Sequence, residues 1–308
     1  MKKHFSYRLS VISYQCGLVL IVCCSLFTVT CNAQHDNLYS QYMFNGLLLN
    51  PAYAGSNDVL SATAVYRNQW VGFDGAPKTG TFSLHTPLKN KKLNVGLIFI
   101  NDQYGITTQN VINGVFAYRL FLKKSSLSFG LQAGVNFTRN NWNSIQTTTP
   151  GDVVFTNQYS QQNLPQTGFG VYYKAQKFYA GISSPDLLSI GLANTVYRSA
   201  LLTAGYLINV SDDIKIKPSV LVKYIKDSPV EVDINANVYF KAFGIGYSYR
   251  TNDAMVFIFT CNITKQFSVG YAYDYTISKL KTFVNGSHEV MLKYDFGYKI
   301  NPQSPRYF

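Results

Sequence analysis

From Ser126 to Thr138 the chain alternates without a break. Leu127, Phe129, Leu131, Ala133, Val135 and Phe137 fall on one side, and Ser126, Ser128, Gly130, Gln132, Gly134, Asn136 and Thr138 on the other. A period of two is that of a β-strand with one apolar and one polar face. The pattern recurs from Val230 to Lys241, where Val232, Ile234, Ala236, Val238 and Phe240 oppose Glu231, Asp233, Asn235, Asn237, Tyr239 and Lys241. Near the end of the chain Val290, Leu292, Tyr294, Phe296 and Tyr298 oppose Glu289, Lys293, Asp295 and Gly297, with Met291 the one exception. Read along the whole chain, the same pattern predicts strands near 59–70, 79–86, 93–101, 110–121, 125–138, 167–174, 177–184, 199–210, 214–224, 230–241, 243–251, 253–263, 265–275 and 287–298. That makes about 14, an even number of the kind bacterial membrane barrels have.

Alternation alone suits a soluble sandwich as well as a lipid-facing wall. Three features favour lipid. The segments run to about 9 to 14 residues, which is what a tilted membrane strand requires. Tyr and Phe crowd strand ends, as in Phe243 to Tyr249 and Tyr271 to Tyr275. Gly130, Gly134, Gly244, Gly246 and Gly270 recur on the polar face, where they ease packing in a curved wall or leave room in a lumen. The expected fold is all-β, a transmembrane antiparallel β-barrel whose last strand pairs with the first, so that no backbone edge is left unpaired in lipid. On this reading Leu131→Arg impairs assembly, whereas Gln132→Arg, facing the lumen, is tolerated.

The N-terminus reads differently. Lys2, Lys3 and Arg8 precede an apolar stretch, Val11 to Val29, that ends too soon for a stable span, followed by Cys31-Asn32-Ala33 with small residues three and one before a cut. This is the pattern of a signal peptide, residues 1–33. Neither Thr30 before Cys31 nor Val22 before Cys23 supplies the small residue expected ahead of a lipidated cysteine. Cys16, Cys23, Cys24 and Cys31 leave with the signal, so the mature chain keeps only Cys261, inside the apolar run Met255 to Ile263, and has no internal disulfide. Losing Lys2, Lys3 and Arg8 lowers the net charge from +12 to +9. That charge is dispersed: Lys89, Lys91, Lys92, Lys123 and Lys124 lie between apolar segments, as solvated turns or anionic headgroup contacts do, rather than in a nucleic-acid patch.

The remaining organisation follows from turns and aromatics. Residues 34–58 form an N-terminal segment packed on or in the barrel, 59–298 the outer-membrane barrel and 299–308 a C-terminal tail. Tyr39 to Gly55 is too turn-rich, with Gly46, Asn50-Pro51 and Gly55, for one regular element, yet too aromatic for a free tail. It is expected to plug the periplasmic side of the barrel or line its lumen, anchored by Tyr42, Met43, Phe44 and Tyr53, or else to bind a partner from the periplasm. Trp70 to Lys78 is a sharp turn signal between the first two strands. Its Trp70 and Phe73 read as headgroup-level anchors or as a partner-recognition site. Two long connections, Asn140 to Gln166 and Ser184 to Ser199, cover the lumen or present a docking surface, the second with a short helix starting at Ser184-Pro185-Asp186-Leu187-Leu188.

Enzyme chemistry finds no foothold. His35, His85 and His288 have no metal-ligand spacing and no Gly-x-Ser-x-Gly serine beside them, so no catalytic residue, cofactor or metal is expected. His288 next to Glu289 reads as a polar lumen pair. Two classes of function remain: a component that works through partners, and an open diffusion channel, since about 14 strands can enclose water.

Particular stretches carry a family resemblance: Tyr39-Ser-Gln-Tyr-Met-Phe-Asn45, Asn50-Pro-Ala-Tyr-Ala-Gly55, Tyr66-Arg-Asn-Gln-Trp-Val-Gly-Phe-Asp-Gly-Ala-Pro-Lys-Thr79, Asn101-Asp102, Ala204-Gly-Tyr206, Lys217-Pro-Ser219, Asp233-Ile-Asn-Ala-Asn237, Tyr271-Ala-Tyr-Asp-Tyr-Thr276 and Gly286-Ser-His-Glu289. The chain resembles the PorP/SprF family over nearly its whole mature length. It departs at Gly46, where proline is expected, and at Asp233-Ile234, where Asp-Leu is commoner. The resemblance implies an outer-membrane barrel of Bacteroidota, associated with type IX secretion and, in gliding species, with delivery or anchoring of surface adhesins. Its implied partners are other secretion subunits, a secreted surface protein and outer-membrane lipid, with no nucleic acid.

Overall fold

A computed structural model describes residues 39–142, 159–190, 196–197, 199–225 and 228–297. The signal peptide (1–33), the C-terminal tail (299–308), Tyr298 and most of the connection expected at 140–166 lie outside the described residues. Fourteen strands follow one another in antiparallel hairpins: β1 (Leu60–Asn68), β2 (Lys78–Pro87), β3 (Leu93–Tyr104), β4 (Thr107–Phe121), β5 (Ser125–Asn141), β6 (Tyr159–Ala175), β7 (Phe178–Ile190), β8 (Ser199–Tyr206), β9 (Ile214–Ile225), β10 (Glu231–Phe240), β11 (Phe243–Arg250), β12 (Ala254–Asn262), β13 (Phe267–Thr276) and β14 (Ser287–Phe296). Two-residue pieces, Val196–Tyr197 and Ile208–Asn209, flank β8 and continue it.

The wall closes. β1 pairs with β14 from Leu60↔Phe296 to Asn68↔His288, and with β2 on its other side, so neither the first nor the last strand has a free edge. Closure leaves neither end strand with an unpaired edge, the condition for strands in lipid. The burial pattern inverts that of a soluble protein. In β5, Phe129, Leu131 and Phe137 are exposed while Ser128, Gln132, Asn136 and Thr138 are buried, and β10 does the same with Ile234 and Val238 outside and Asp233, Asn235 and Asn237 inside. A wall that turns its apolar side chains outward all round is covered by a bilayer.

The two ends differ. Connections at one end are short: 88–92, 122–124, 176–177, 210–213, 241–242 and 263–266. At the other end the described connections are 69–77, 105–106, 251–253 and 277–286, the first and last of them the longest.

Three expectations about this wall change. β6 starts at Tyr159 and β7 runs on to Ile190, so Tyr159 to Gln166 of the first expected long loop and Ser184 to Ile190 of the second are strand. Ser184-Pro185-Asp186-Leu187-Leu188 is not the start of a helix but part of β7. Its register against β6 shifts between Thr167 and Phe169, and this irregularity absorbs Pro185, which has no N–H to give a ladder. Finally, His288 and Glu289 cannot pair. As consecutive strand residues they point to opposite faces, Glu289 inward and fully buried, His288 outward against the Tyr271 hydroxyl at 2.6 Å.

Candidate functional site

Residues 39–57 lie against the inward face of the wall. They form three 3-10 turns, Tyr42–Phe44, Gly46–Leu48 and Pro51–Tyr53, separated by Asn45 and by Leu49-Asn50. Asn50 initiates the third turn: its Oδ1 accepts from the Ala52 N–H at 2.9 Å with Pro51 at the first helical position, the usual division of labour at an N-cap. The same side chain donates through Nδ2 to the Val171 carbonyl at 3.0 Å, tying the turn to β6. Room for this approach comes from paired glycines on neighbouring strands. Gly130 of β5 lies opposite Gly170 of β6, and a side chain on the first would collide with the backbone of Pro51 and Ala52, on the second with Asn50. Gly46, where the family pattern has proline, lies flat against the Tyr53 ring.

Two apolar clusters unite segment and wall. Leu47, Ala52, Tyr53 and Ala54 pack with Ile98, Val115, Ala117, Tyr172, Tyr179 and Leu207. Tyr53 meets His85 and Tyr172 edge to face, with centroids 5.6 and 5.5 Å away. Tyr39, Tyr42 and Met43 pack with Val65, Leu201, Leu221, Val256, Ile258, Ala272 and Met291. Met291, the residue that breaks the alternation of β14, is apolar because it faces this segment. The Tyr42 hydroxyl accepts from Asn235 Nδ2 of β10.

Charge gathers where the segment begins. Glu289 accepts from the backbone N–H groups of Ser40 and Gln41 at 2.8 and 2.7 Å. The Ser40 hydroxyl donates to Asp274 at 2.7 Å and accepts from Arg67 at 2.8 Å. Arg67 bridges Asp274 and Glu289 at 2.7 and 3.2 Å. Arg250 joins the same network through Asp233 at 3.0 Å, Asp253 at 3.2 Å and Asp274 at 3.6 Å. The strand residues among these come from β1, β10, β11, β13 and β14 and Asp253 from the 251–253 connection, near the end with the longer connections. Further along, Phe44 lies under the Lys217 ammonium, 5.8 Å from the ring centroid. The Gly55 N–H donates to His85 Nδ1 at 3.1 Å, Lys174 Nζ donates to the Ser56 carbonyl at 3.0 Å, and Asp58 pairs with Arg119 at 2.7 Å near the short-turn end. Residues 40 to 58 therefore run from one mouth to the other inside the wall.

The residues singled out from sequence fall into two places. Tyr42, Met43 and Tyr53 are buried in the interior and Phe44 is half-buried there. Trp70 and Phe73 are not with them. They sit in the connection between β1 and β2, half-buried and exposed respectively, where Val71 exchanges backbone hydrogen bonds with Asn285 and Gly286 of the β13–β14 connection. A cleft beside them is lined by Asp74, Lys78, Gln103 and Tyr104. Periodicity did not single out the charged network, although its members stand in the quoted family stretches: Arg67 after Tyr66, Asp233, Asp274 and Glu289. Among the described residues no group of His, Cys, Asp and Glu is arranged to hold a metal.

Comparison with known families decides the assignment, because the model described as "Type IX secretion system membrane protein PorP/SprF" matches residues 31–294. The chain belongs to the PorP/SprF family. It is thus a membrane component of type IX secretion, located in the outer membrane, whose family works with other parts of that system and is not a known enzyme class. No curated protein matches the chain. Solved structures of similar shape include the outer membrane protein Omp33 of Acinetobacter baumannii, 10% identical, covering 79% of this chain and 100% of that one with a TM-score of 0.49. Another is the CymD monoaromatic hydrocarbon channel, 13% identical, covering 85% and 94% with a TM-score of 0.47. The KdgM porin is 10% identical and covers 77% and 99% with a TM-score of 0.41. The barrel assignment itself rests on the closed strand register.

Proposed function

We propose that this barrel is sealed by its own N-terminal segment and serves type IX secretion by helping to deliver or anchor secreted surface proteins, adhesins in gliding species, rather than by conducting solutes. One observation carries the reading: residues 39–57 are bonded to strands all round the wall and share both interior apolar clusters with it. Such a segment occupies the space an open pore needs. Short turns face the periplasm in outer-membrane barrels, so the longer connections, including Trp70 and Phe73, face outward, where a secreted partner is met. Phe73, 49% exposed on a backbone pinned by its neighbours, is a suitable contact for such a partner.

The segment's role in function is tested with Tyr42→Ala combined with Phe44→Ala. The closed ladder does not include these residues, so the variant barrel should reach the outer membrane in normal amount and keep its heat-dependent gel mobility. Surface display of the secreted protein, measured by labelling intact cells, should fall. Normal display with an abundant variant barrel overturns the reading.

A further inference from the structure

The described connections at the two mouths differ in charge. The short-turn end carries Lys89, Lys91 and Lys92 in its first turn, Lys123 and Lys124 in the second, and Lys177, Lys241 and Lys265 in three others, against Asp212 and Asp213 in the remaining one. At the other end, connections 69–77, 251–253 and 277–286 hold Lys279 and Lys281 against Asp74 and Asp253, a balance near zero. Each lysine-bearing turn also has a large hydrophobe exposed beside it: Leu88, Leu122, Phe178, Phe240 and Ile263. These are lipid-level neighbours, so the lysine-bearing turns stand next to the apolar belt, at headgroup depth.

We infer that the short-turn rim is a binding surface for anionic phospholipid headgroups, phosphatidylglycerol or another acidic glycerophospholipid, of the periplasmic leaflet. Distribution distinguishes lipid from protein. A docked acidic protein needs its lysines gathered on one sector, whereas here five of six turns around the circumference carry them, as a surrounding ring of lipid requires. Each lysine near an anionic surface adds to the attraction, which decays over a Debye length, so a ring is additive and salt-sensitive. This inference rests on the outer-membrane placement and the orientation of the barrel, not on what fills its interior.

The test uses the full chain in neutral detergent, mixed with equal amounts of dioleoyl phosphatidylglycerol and dioleoyl phosphatidylcholine, separated by gel filtration and assayed for retained headgroups. Wild type should enrich the glycerol lipid by about tenfold, and the enrichment should collapse when salt is raised from about 0.1 to about 1 M. The variant K89Q/K91Q/K123Q/K124Q should lose most of the enrichment, and K78Q/K279Q/K281Q, at the opposite end, should keep it. Heat-dependent gel mobility checks that each variant is folded. If the fourfold variant is not, the pairs K89Q/K91Q and K123Q/K124Q and the wild-type salt series are read instead. Equal retention of both lipids by wild type, unchanged enrichment in the folded rim variants, or equal loss in the opposite-end variant overturns the assignment. So does tight binding of poly-L-glutamate without phosphatidylglycerol enrichment, which assigns the rim to an acidic protein.

Discussion

At the scale of single residues, the charged groups at one mouth of the interior are buried and paired with one another. Glu289 is fully buried, takes two backbone N–H groups of the segment and faces Arg67, itself buried and shared with Asp274 and Ser40. Removing one partner of a buried pair costs about 3 to 5 kcal/mol, because the other charge is left uncompensated. Arg67→Ala should therefore lower the temperature at which the barrel loses its compact gel mobility, and Arg67→Ala with Glu289→Ala should cost clearly less than the two single changes added together. Strict additivity would mean that the network is not a unit. The aromatic residues of the segment were legible in the sequence because turn residues and rings rarely coexist in a free tail. The network was not, because Arg67, Asp233, Asp274 and Glu289 read as ordinary polar-face residues until closure of the wall brings β1, β10, β13 and β14 to one mouth.

At the scale of strands, a period of two located the elements and their faces, as Leu131, 59% exposed, and Ile234, 58% exposed, make plain. It failed where the wall outgrows the membrane. β5 and β6 extend over 17 residues each, beyond the about 9 to 11 that cross a bilayer, and the surplus in β6, Ser160 to Gln166, has no lipid to face and so no apolar alternation to reveal it. The inner face also differs from expectation. Gln132 is buried, donates to the Pro185 carbonyl at 2.9 Å and abuts Gly168. Leu131→Arg should cost about 2 to 4 kcal/mol near mid-bilayer. Gln132→Arg, which a water-filled lumen would tolerate, should also reduce the yield of assembled barrel, because an unpaired guanidinium enters a packed interior. Outer-membrane yields of the two variants measured side by side check both faces. Normal yield of Gln132→Arg would show that this part of the interior is open to water.

At the scale of the molecule, wall and segment form one packed object. The wall is lipid-facing outside and polar within, and the chain's own residues 39–57 are seated on the Gly130–Gly170 pair and pinned at both mouths, which on the proposed reading fills the space that a diffusion channel of this strand number leaves to water. Segment and wall are separable in principle, since the hydrogen-bonded ladder begins only at Leu60. The direct test is single-channel conductance in planar bilayers, comparing the full mature chain with a deletion of residues 39–57 that keeps heat-dependent gel mobility. Near silence from the full chain and steady ion conduction from the deletion is the expected result; steady conduction of the same size from both would contradict a sealed barrel.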